Sequence, residues 1–167
     1  MNSIQQNVSD ISVPPVAEVT QLLQELLPKP STLGLHILKA LLPKDLSLVE
    51  SRLQYSEKGH YWWLPLHSNP FFESGLCLWP SGSSSLRHDH NDSIAIVVPL
   101  YGAIEHSLYH VSHNKFFVFS KEECRQLWPF FVDKWQIHQV RNVSSDWAIS
   151  LHCYSLPRPS LELVVED

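Results

Sequence analysis

The chain has 167 residues, of which 44% are hydrophobic and 17% are charged, and this composition excludes a disordered tail, a collagen-like rod and a coiled coil. The formal net charge is -5 and no basic run occurs, which argues against a nucleic-acid partner. The longest apolar stretch, 94–104, is shorter than the roughly 20 residues that span a bilayer. Because three scattered cysteines do not make a disulfide framework, we expect a cytoplasmic protein that has no membrane partner.

The N-terminal third has the spacing of amphipathic helices. Leucine and valine recur every three or four residues and prolines limit each run, so the sequence predicts helices over 16–27, 33–42 and 46–53. Ser31 or Thr32 is suited to cap the second helix, because a hydroxyl can accept a hydrogen bond from a free N–H group of the first turn. We expect residues 1–58 to form a helical cover that belongs to the same domain as the rest.

After Gly59 the pattern changes to short runs of aromatic and β-branched residues separated by Pro, Gly, Ser and Asn. These runs predict strands over 60–66, 74–80, 93–100, 103–110, 114–119, 129–132, 135–141, 146–155 and 160–165. Ser120 and Glu123 have the spacing of a capping box and predict a helical turn around Cys124. Many short strands indicate a mainly β fold, so residues 59–167 are expected to form a β-barrel within a single domain overall.

A histidine pair follows the second predicted strand. His88 and His90 are two residues apart, and in an extended segment their side chains share one face, with Cα atoms about 6.5–7 Å apart. Two imidazoles at that separation can bind one metal ion. Paired histidines are also common on protein surfaces, so the pair alone leaves a metal site and an ordinary exposed pair equally open.

Two later predicted strands add polar side chains to this picture. His138 offers a third imidazole from a neighbouring strand. Ser150, His152 and Tyr154 alternate with apolar residues, so they share one face of their strand. A hydroxyl, an imidazole and a phenol inside an apolar barrel need hydrogen-bond partners, either as a structural ladder or as a relay beside a metal site. Given the three nearby histidines, we favour the relay.

The remaining aromatic and histidine side chains have ordinary interpretations. Trp79 and Trp128 are expected in the core, because large rings dominate small β-cores. His106, His110 and His113 lie in one predicted strand and the turn after it, where exposure to solvent is the common outcome.

The spacing of these residues resembles the cupin superfamily. The run Gly82-x5-His88-x-His90-x4-Ala95-x6-Gly102 has the spacing of the first cupin motif, and His138-x3-Asn142 ends the second. His-Asp-His before Asp-Ser, then Arg-Asn-Val-Ser and Ser-x-His-x-Tyr, resemble the thiol dioxygenase branch, the cysteine dioxygenase family, over residues 74–157. The resemblance implies a cupin-type jelly-roll β-barrel with N-terminal α-helices. It also implies one Fe(II) per chain bound by His88, His90 and His138, and a catalytic set of Ser150, His152 and Tyr154.

Ala95 departs from the general cupin pattern, which has a metal-binding Glu at this position. We therefore expect a site of three neutral imidazoles without a carboxylate, whereas the commoner oxygenase site has two histidines and one carboxylate. Such a site leaves the charge of Fe(II) uncompensated and favours an anionic thiolate as a further ligand. Some thiol dioxygenases have a Cys here that is linked covalently to the tyrosine, and in this chain that link cannot form.

A second departure concerns the substrate. Cysteine dioxygenases carry an Arg after a Tyr to pair with the substrate carboxylate, and the corresponding stretch here contains Tyr61, Trp62 and Trp63. Because an arginine fork binds a carboxylate strongly, free cysteine is expected to be a poor substrate unless Arg141 or His67 supplies another cation. The candidate substrate-binding residues are thus Tyr61, the two tryptophans and Arg141. A thiol without a carboxylate near the sulfur would fit the tryptophans better.

The resemblance implies an Fe(II)-dependent dioxygenase that adds both atoms of O2 to a small-molecule thiol and yields a sulfinate. Tyr154, oriented through His152 and Ser150, is expected to donate a hydrogen bond to oxygen or to the substrate. Two other functions stay open, namely a metal-dependent isomerase or decarboxylase that does not use O2 and a non-catalytic cupin that binds a small ligand. We expect a monomer or a homodimer, since cupins occur as both.

Overall fold

The structure is a computed structural model that describes residues 15–30 and 32–158. Its N-terminal part contains three helices, α1 (Val16–Leu26), α2 (Leu33–Leu41) and α3 (Ser47–Glu50). Thr32 caps α2, because its hydroxyl oxygen accepts a hydrogen bond from the N–H of Leu35 at 3.4 Å. Ser31, the other predicted cap, lies outside the described residues. No helix in the described part of the chain has both the length and the apolar content needed to cross a bilayer.

The rest of the described chain forms antiparallel strands. They are β1 (Gln54–Ser56), β2 (Tyr61–Asn69), β3 (Phe72–Trp79), β4 (Ala95–Tyr101), β5 (Ile104–Ser112), β6 (Lys115–Cys124), β7 (Phe130–Val132), β8 (Ile137–Asn142) and β9 (Ala148–Tyr154). A six-stranded sheet has the order β1-β2-β3-β9-β4-β7, and a three-stranded sheet has the order β6-β5-β8. The fold is therefore mainly β with short N-terminal helices, which confirms the predicted class. The predicted strand 160–165 lies outside the described residues.

The alternation of side chains along β2 separates two hydrophobic clusters. Trp62 and Leu64 point toward the helices and pack with Leu23 and Leu38 of the helical cover. The neighbouring Tyr61 and Trp63 belong instead to the interior cluster between the sheets, with Trp79 and Tyr154. The helices thus cover the outer face of the larger sheet, and the interior face is left for the polar residues of the site.

Gly75 makes room for one of these interior rings. It lies opposite Pro65 in the register between β2 and β3. A Cβ atom at Gly75 would clash with the ring of Trp63. The bare backbone at this position lets the Trp63 ring lie across β3, close to the end of β9.

Two sequence predictions about local structure are wrong. The helical turn around Cys124 is absent, because β6 continues to Cys124 and pairs with β5 as far as Ile104. Inter-strand hydrogen bonds along this hairpin prevail over the local capping pattern. Trp128 is 62% exposed rather than a core residue. The short strand β1, for which the sequence gave no expectation, pairs with β2 at the edge of the larger sheet.

Candidate metal centre

The connection between β3 and β4 carries two of the three histidines. It is not a regular strand, but it runs antiparallel to β8 and forms isolated bridges from Ser84 to Arg141 and from His88 to His138. The backbones of His88 and His138 exchange two hydrogen bonds, with N···O distances of 3.0 and 2.9 Å. This pairing fixes the first and third predicted ligands side by side.

The imidazole rings of His88, His90 and His138 meet beside this bridge. The Nε2 atom of His90 lies 3.2 Å from Nε2 of His88 and 3.2 Å from Nε2 of His138. Their candidate ligand atoms all lie within 4.8 Å of one another. The structure therefore brings together the three residues that the sequence singled out.

Hydrogen bonding and burial leave the lone pairs available to a cation. Nδ1 of His88 is 2.8 Å from the carbonyl oxygen of Leu86, so Nδ1–H donates and Nε2 keeps its lone pair. Burial lowers the pKa of His88, and burial with the nearby His88 lowers the pKa of His90 to about 3. The pKa of His138 is held well below its usual value by burial and by the neighbouring histidines. Neutral imidazole is the form that binds transition metals.

The donor set fits a transition metal bound by nitrogen alone. Three neutral Nε2 atoms cannot all satisfy one another with hydrogen bonds, whereas one shared cation satisfies all three. Ala95, which lies opposite Tyr154 in the sheet, has no ligand atom, and Asp92 is exposed. Within the described residues, the metal-binding group contains histidines alone.

Next to the histidines, a hydrogen-bonded chain runs along β9. The Nε1–H group of Trp79 donates to Oγ of Ser150 at 2.8 Å, and that hydroxyl lies 2.8 Å from Nε2 of His152. Nδ1 of His152 lies 3.2 Å from the phenol oxygen of Tyr154. Because Trp79 donates, the Ser150 hydroxyl can donate to His152, which then donates to the phenol and leaves the Tyr154 proton free for the cavity.

The protonation states agree with this direction of donation. Burial holds the pKa of His152 well below its usual value, so the ring stays neutral with one N–H group. Burial also raises the pKa of Tyr154, so the phenol keeps its proton. The sequence predicted Ser150, His152 and Tyr154 as a group, but it assigned Trp79 to the core and missed its role as the first donor.

These groups surround a small cavity with about 300 Å³ of empty space, part of it open to solvent. Its lining includes His88, His138, His152, Tyr154, Tyr61 and Arg158, whereas His90 is not part of it. Cys77 also faces it, and burial raises the pKa of this thiol to about 12, so it stays a neutral thiol.

Arg158 is the cation of this cavity, and sequence reasoning missed it. Its guanidinium carbon lies 3.9 Å from the ring centroid of Trp63 and 4.9 Å from that of Tyr154. Arg158 follows the end of β9, where strand periodicity no longer gives a direction for a side chain. The one signal in its favour is its closeness to Tyr154 in sequence.

Only some of the predicted substrate-binding residues lie at the cavity. Tyr61 lines the cavity, and Trp63 lies against it beneath Arg158. Trp62 does not, because the alternation of β2 turns its ring toward the helices. Arg141 and His67 are exposed and lie outside the cavity lining, so neither is in place to act as the predicted substitute cation.

His106 is a further correction. The sequence indicated an exposed side chain, but His106 is only 5% exposed, and its ring stacks on Phe130 with centroids 4.0 Å apart. The ring is also perpendicular to that of His138, at 5.3 Å. Burial lowers the pKa of His106 to about 4. His110 and His113 are exposed, as expected.

Comparisons with known proteins agree with this geometry. A family model described as cysteine dioxygenase type I matches residues 53–164. No curated protein matches the chain.

Solved structures with similar folds include three proteins of low sequence identity. The first is the Cnp3 cupin domain of Schizosaccharomyces pombe, with a TM-score of 0.51, 14% identity and coverage of 60% of this chain and 64% of that one. The second is the protein TT1209 from Thermus thermophilus, with a TM-score of 0.53, 18% identity and coverage of 68% and 96%. The third is an uncharacterized conserved protein with a double-stranded beta-helix domain from Klebsiella pneumoniae, with a TM-score of 0.55, 10% identity and coverage of 71% and 89%. The chain thus spans slightly less than two thirds of the first protein and most of the other two, and the likeness establishes the cupin fold.

Proposed function

The chain belongs to the cysteine dioxygenase type I family, and we propose that it is an Fe(II)-dependent dioxygenase that converts a small-molecule thiol into a sulfinate. In the proposed reaction both atoms of O2 form bonds to the thiol sulfur, and the thiol proton is released. The sulfur loses four electrons, and O2 accepts the same four. The proposed partners are therefore a thiol and O2.

The observation that carries this proposal is a cluster of three neutral imidazoles, two of which line the same small cavity as a protonated phenol. His88, His90 and His138 supply a purely nitrogenous metal site, and the phenol of Tyr154 lies with its hydrogen-bonded chain at the wall of that cavity. The ring centroids of His90 and Tyr154 are 5.0 Å apart. A substrate atom in the cavity would be within reach of both groups.

Each residue has a distinct part in the proposed chemistry. The three imidazoles would hold iron(II), which when bound supplies Lewis acidity toward the thiol and the one-electron chemistry that O2 requires. Tyr154 would donate its hydrogen bond to oxygen or to the substrate, and His152, held by Ser150, keeps the phenol in that orientation. Tyr61 lines the cavity and the ring of Trp63 packs against Arg158 in its wall, so both would help to exclude water around the reacting sulfur.

Oxygen consumption tests the proposal directly. Protein loaded anaerobically with Fe(II) is mixed with a small thiol, and O2 uptake and sulfinate are measured together. We expect one O2 per sulfinate, with both oxygen atoms of 18O2 found in the product. Turnover of a ligand without O2 uptake would instead support an isomerase or decarboxylase, and ligand binding without turnover would support a non-catalytic cupin.

A further inference from the structure

We propose that Arg158 binds the anionic group of the substrate, and that the preferred substrate class is a thiol that carries a carboxylate and no ammonium group. This inference rests on the proposed function and specifies which thiol the site accepts. It replaces the expectation of a thiol without a nearby carboxylate, which assumed that no cation faces the cavity.

The guanidinium group of Arg158 lies in the wall of the cavity. The Arg158 side chain is 16% exposed and lines the same cavity as His88 and His138. The guanidinium lies over the faces of Trp63 and Tyr154, which fix its plane and shield it from water. A charge held rigidly in a mostly buried wall is well placed to bind an opposite charge on a small ligand.

Glu73 occupies one part of Arg158 and leaves another part available to a ligand. Oε2 of Glu73 accepts hydrogen bonds from Nε of Arg158 at 3.1 Å and from its backbone N–H at 2.9 Å. Oε1 of Glu73 accepts from Nη2 at 3.2 Å. This pairing holds one edge of the guanidinium group. The Nη1 amino group is not part of it, and its two N–H groups can donate to a carboxylate.

The charges around the cavity favour an anionic ligand. None of the described residues that line it is acidic, and the nearby carboxylate of Glu73 is already paired with Arg158. An ammonium group in this cavity would therefore lie near Arg158 without a counter-charge. A carboxylate meets one cation and no anion. Metal loading adds positive charge at the three neutral histidines, which favours the carboxylate further.

The placement of this cation also explains the tryptophan at the end of the Tyr61-Trp62-Trp63 stretch. The ring of Trp63 occupies space that a long charged side chain from β2 would need, and it offers its face to Arg158 instead. The cation thus enters from the segment after β9 and not from β2. The substrate anion is expected next to Tyr154, at the end of β9.

Four thiols that differ only in their charged groups test this assignment. Ethanethiol has neither group, 3-mercaptopropionate has the carboxylate, cysteamine has the ammonium, and cysteine has both. With the wild-type protein we expect kcat/KM to be highest for 3-mercaptopropionate, by about 10-fold or more over each of the others, since a hydrogen bond to a charged group contributes about 1.5–3 kcal/mol. Equal turnover of ethanethiol would overturn the role of Arg158. Equal turnover of cysteine would overturn the exclusion of the ammonium group.

The Arg158→Met variant separates this role from general effects on the fold. It should raise the KM for 3-mercaptopropionate by about 10- to 100-fold with a smaller change in kcat, so that the ratio of kcat/KM for 3-mercaptopropionate to kcat/KM for ethanethiol falls by about 10-fold or more. Arg125→Met is the matched control, because Arg125 makes a similar ion pair with Glu123 at an exposed position. An equal loss for both thiols in Arg158→Met would contradict the proposal.

Anaerobic binding distinguishes a failure of this inference from a failure of the proposed function. Tryptophan fluorescence is titrated with 3-mercaptopropionate and with ethanethiol in the absence of O2, for the wild type and for Arg158→Met. Stronger binding of the carboxylate that is lost in the variant would support Arg158 as the receptor even if no thiol were oxidised. Absence of that difference, with oxidation intact, would overturn Arg158 and leave the dioxygenase standing.

Discussion

Replacing Ser150 with alanine tests whether the hydrogen-bonded chain on β9 orients the phenol of Tyr154. Ser150 is fully buried, and its hydroxyl lies between the indole N–H of Trp79 and Nε2 of His152, at 2.8 Å from each. The substitution removes one oxygen atom and leaves the fold of the strand unchanged. Its effects should therefore be confined to the two groups that lose their partner.

The size of the effect follows from those two groups. Trp79 and His152 are 1% and 4% exposed, so water does not reach them easily. A buried polar group without a partner costs about 1–3 kcal/mol, so two such groups should lower the free energy of unfolding by about 2–6 kcal/mol. His152 also loses the contact that orients its ring, so we expect kcat to fall by about 10-fold while the phenol itself remains.

Ser83→Ala provides the control for this prediction. Ser83 is also buried, but its hydroxyl makes a hydrogen bond to the carbonyl of Pro80, outside the chain on β9. This control should lose about 1 kcal/mol in urea unfolding and keep its rate of O2 uptake. If Ser150→Ala were no less stable than Ser83→Ala and equally active, the chain from Trp79 to Tyr154 would have no part in orienting the phenol.

Three further predictions concern the metal ligands, the phenol and the ion pair. His88→Ala and His138→Ala should each lose iron by metal analysis, because two imidazoles leave the site one ligand short, and full iron content in both would refute the assignment. Tyr154→Phe should keep its iron and lower kcat by about 100-fold, measured by O2 uptake, whereas an unchanged rate would remove the phenol from the chemistry. Burial raises the pKa of Glu73, but the hydrogen bonds and charge of Arg158 outweigh burial, so the pKa of this carboxyl is lowered overall. The ion pair therefore stabilises the fold at pH values above the ordinary pKa of the carboxyl. This stabilisation is lost as the pH falls through the lowered pKa. Urea unfolding of the wild type and of Glu73→Gln should therefore differ most at neutral pH and converge in acid, and a difference that stayed constant with pH would contradict this reasoning.

Local patterns in the sequence predicted much of the fold, because periodicity is a property of the element itself. The leucine spacing indicated the helix Val16–Leu26, and the alternation of Ser150, His152 and Tyr154 indicated their shared face on β9. The spacing of His88 and His90 was informative for a different reason than expected. Their segment is not a regular strand, and its bridge to His138 is what brings the rings together.

The errors arise where long-range contacts decide the outcome. The sequence of β2 does not say which of Trp62 and Trp63 faces the interior, since both faces of this strand are covered by apolar partners. His106 is buried because Phe130, which is 24 positions later and belongs to β7, stacks on its ring. Neither contact leaves a signal in the local pattern.

Arg158 illustrates how a charge can reach the cavity from a position that no motif marks. Glu73 lies opposite Tyr154 in the register of β3 and β9, so a chain that continues past Tyr154 returns close to this carboxylate. The ion pair then holds the arginine over Trp63, whose ring forms the surface on which the guanidinium group lies. Because the sheet register creates this meeting, Glu73 and Trp63 set the position of the cation as much as the arginine does. If Arg158 binds the substrate anion as proposed, specificity depends on two neighbouring strands, β2 and β3, and on a segment after β9 in which Arg158 lies 85 residues after Glu73.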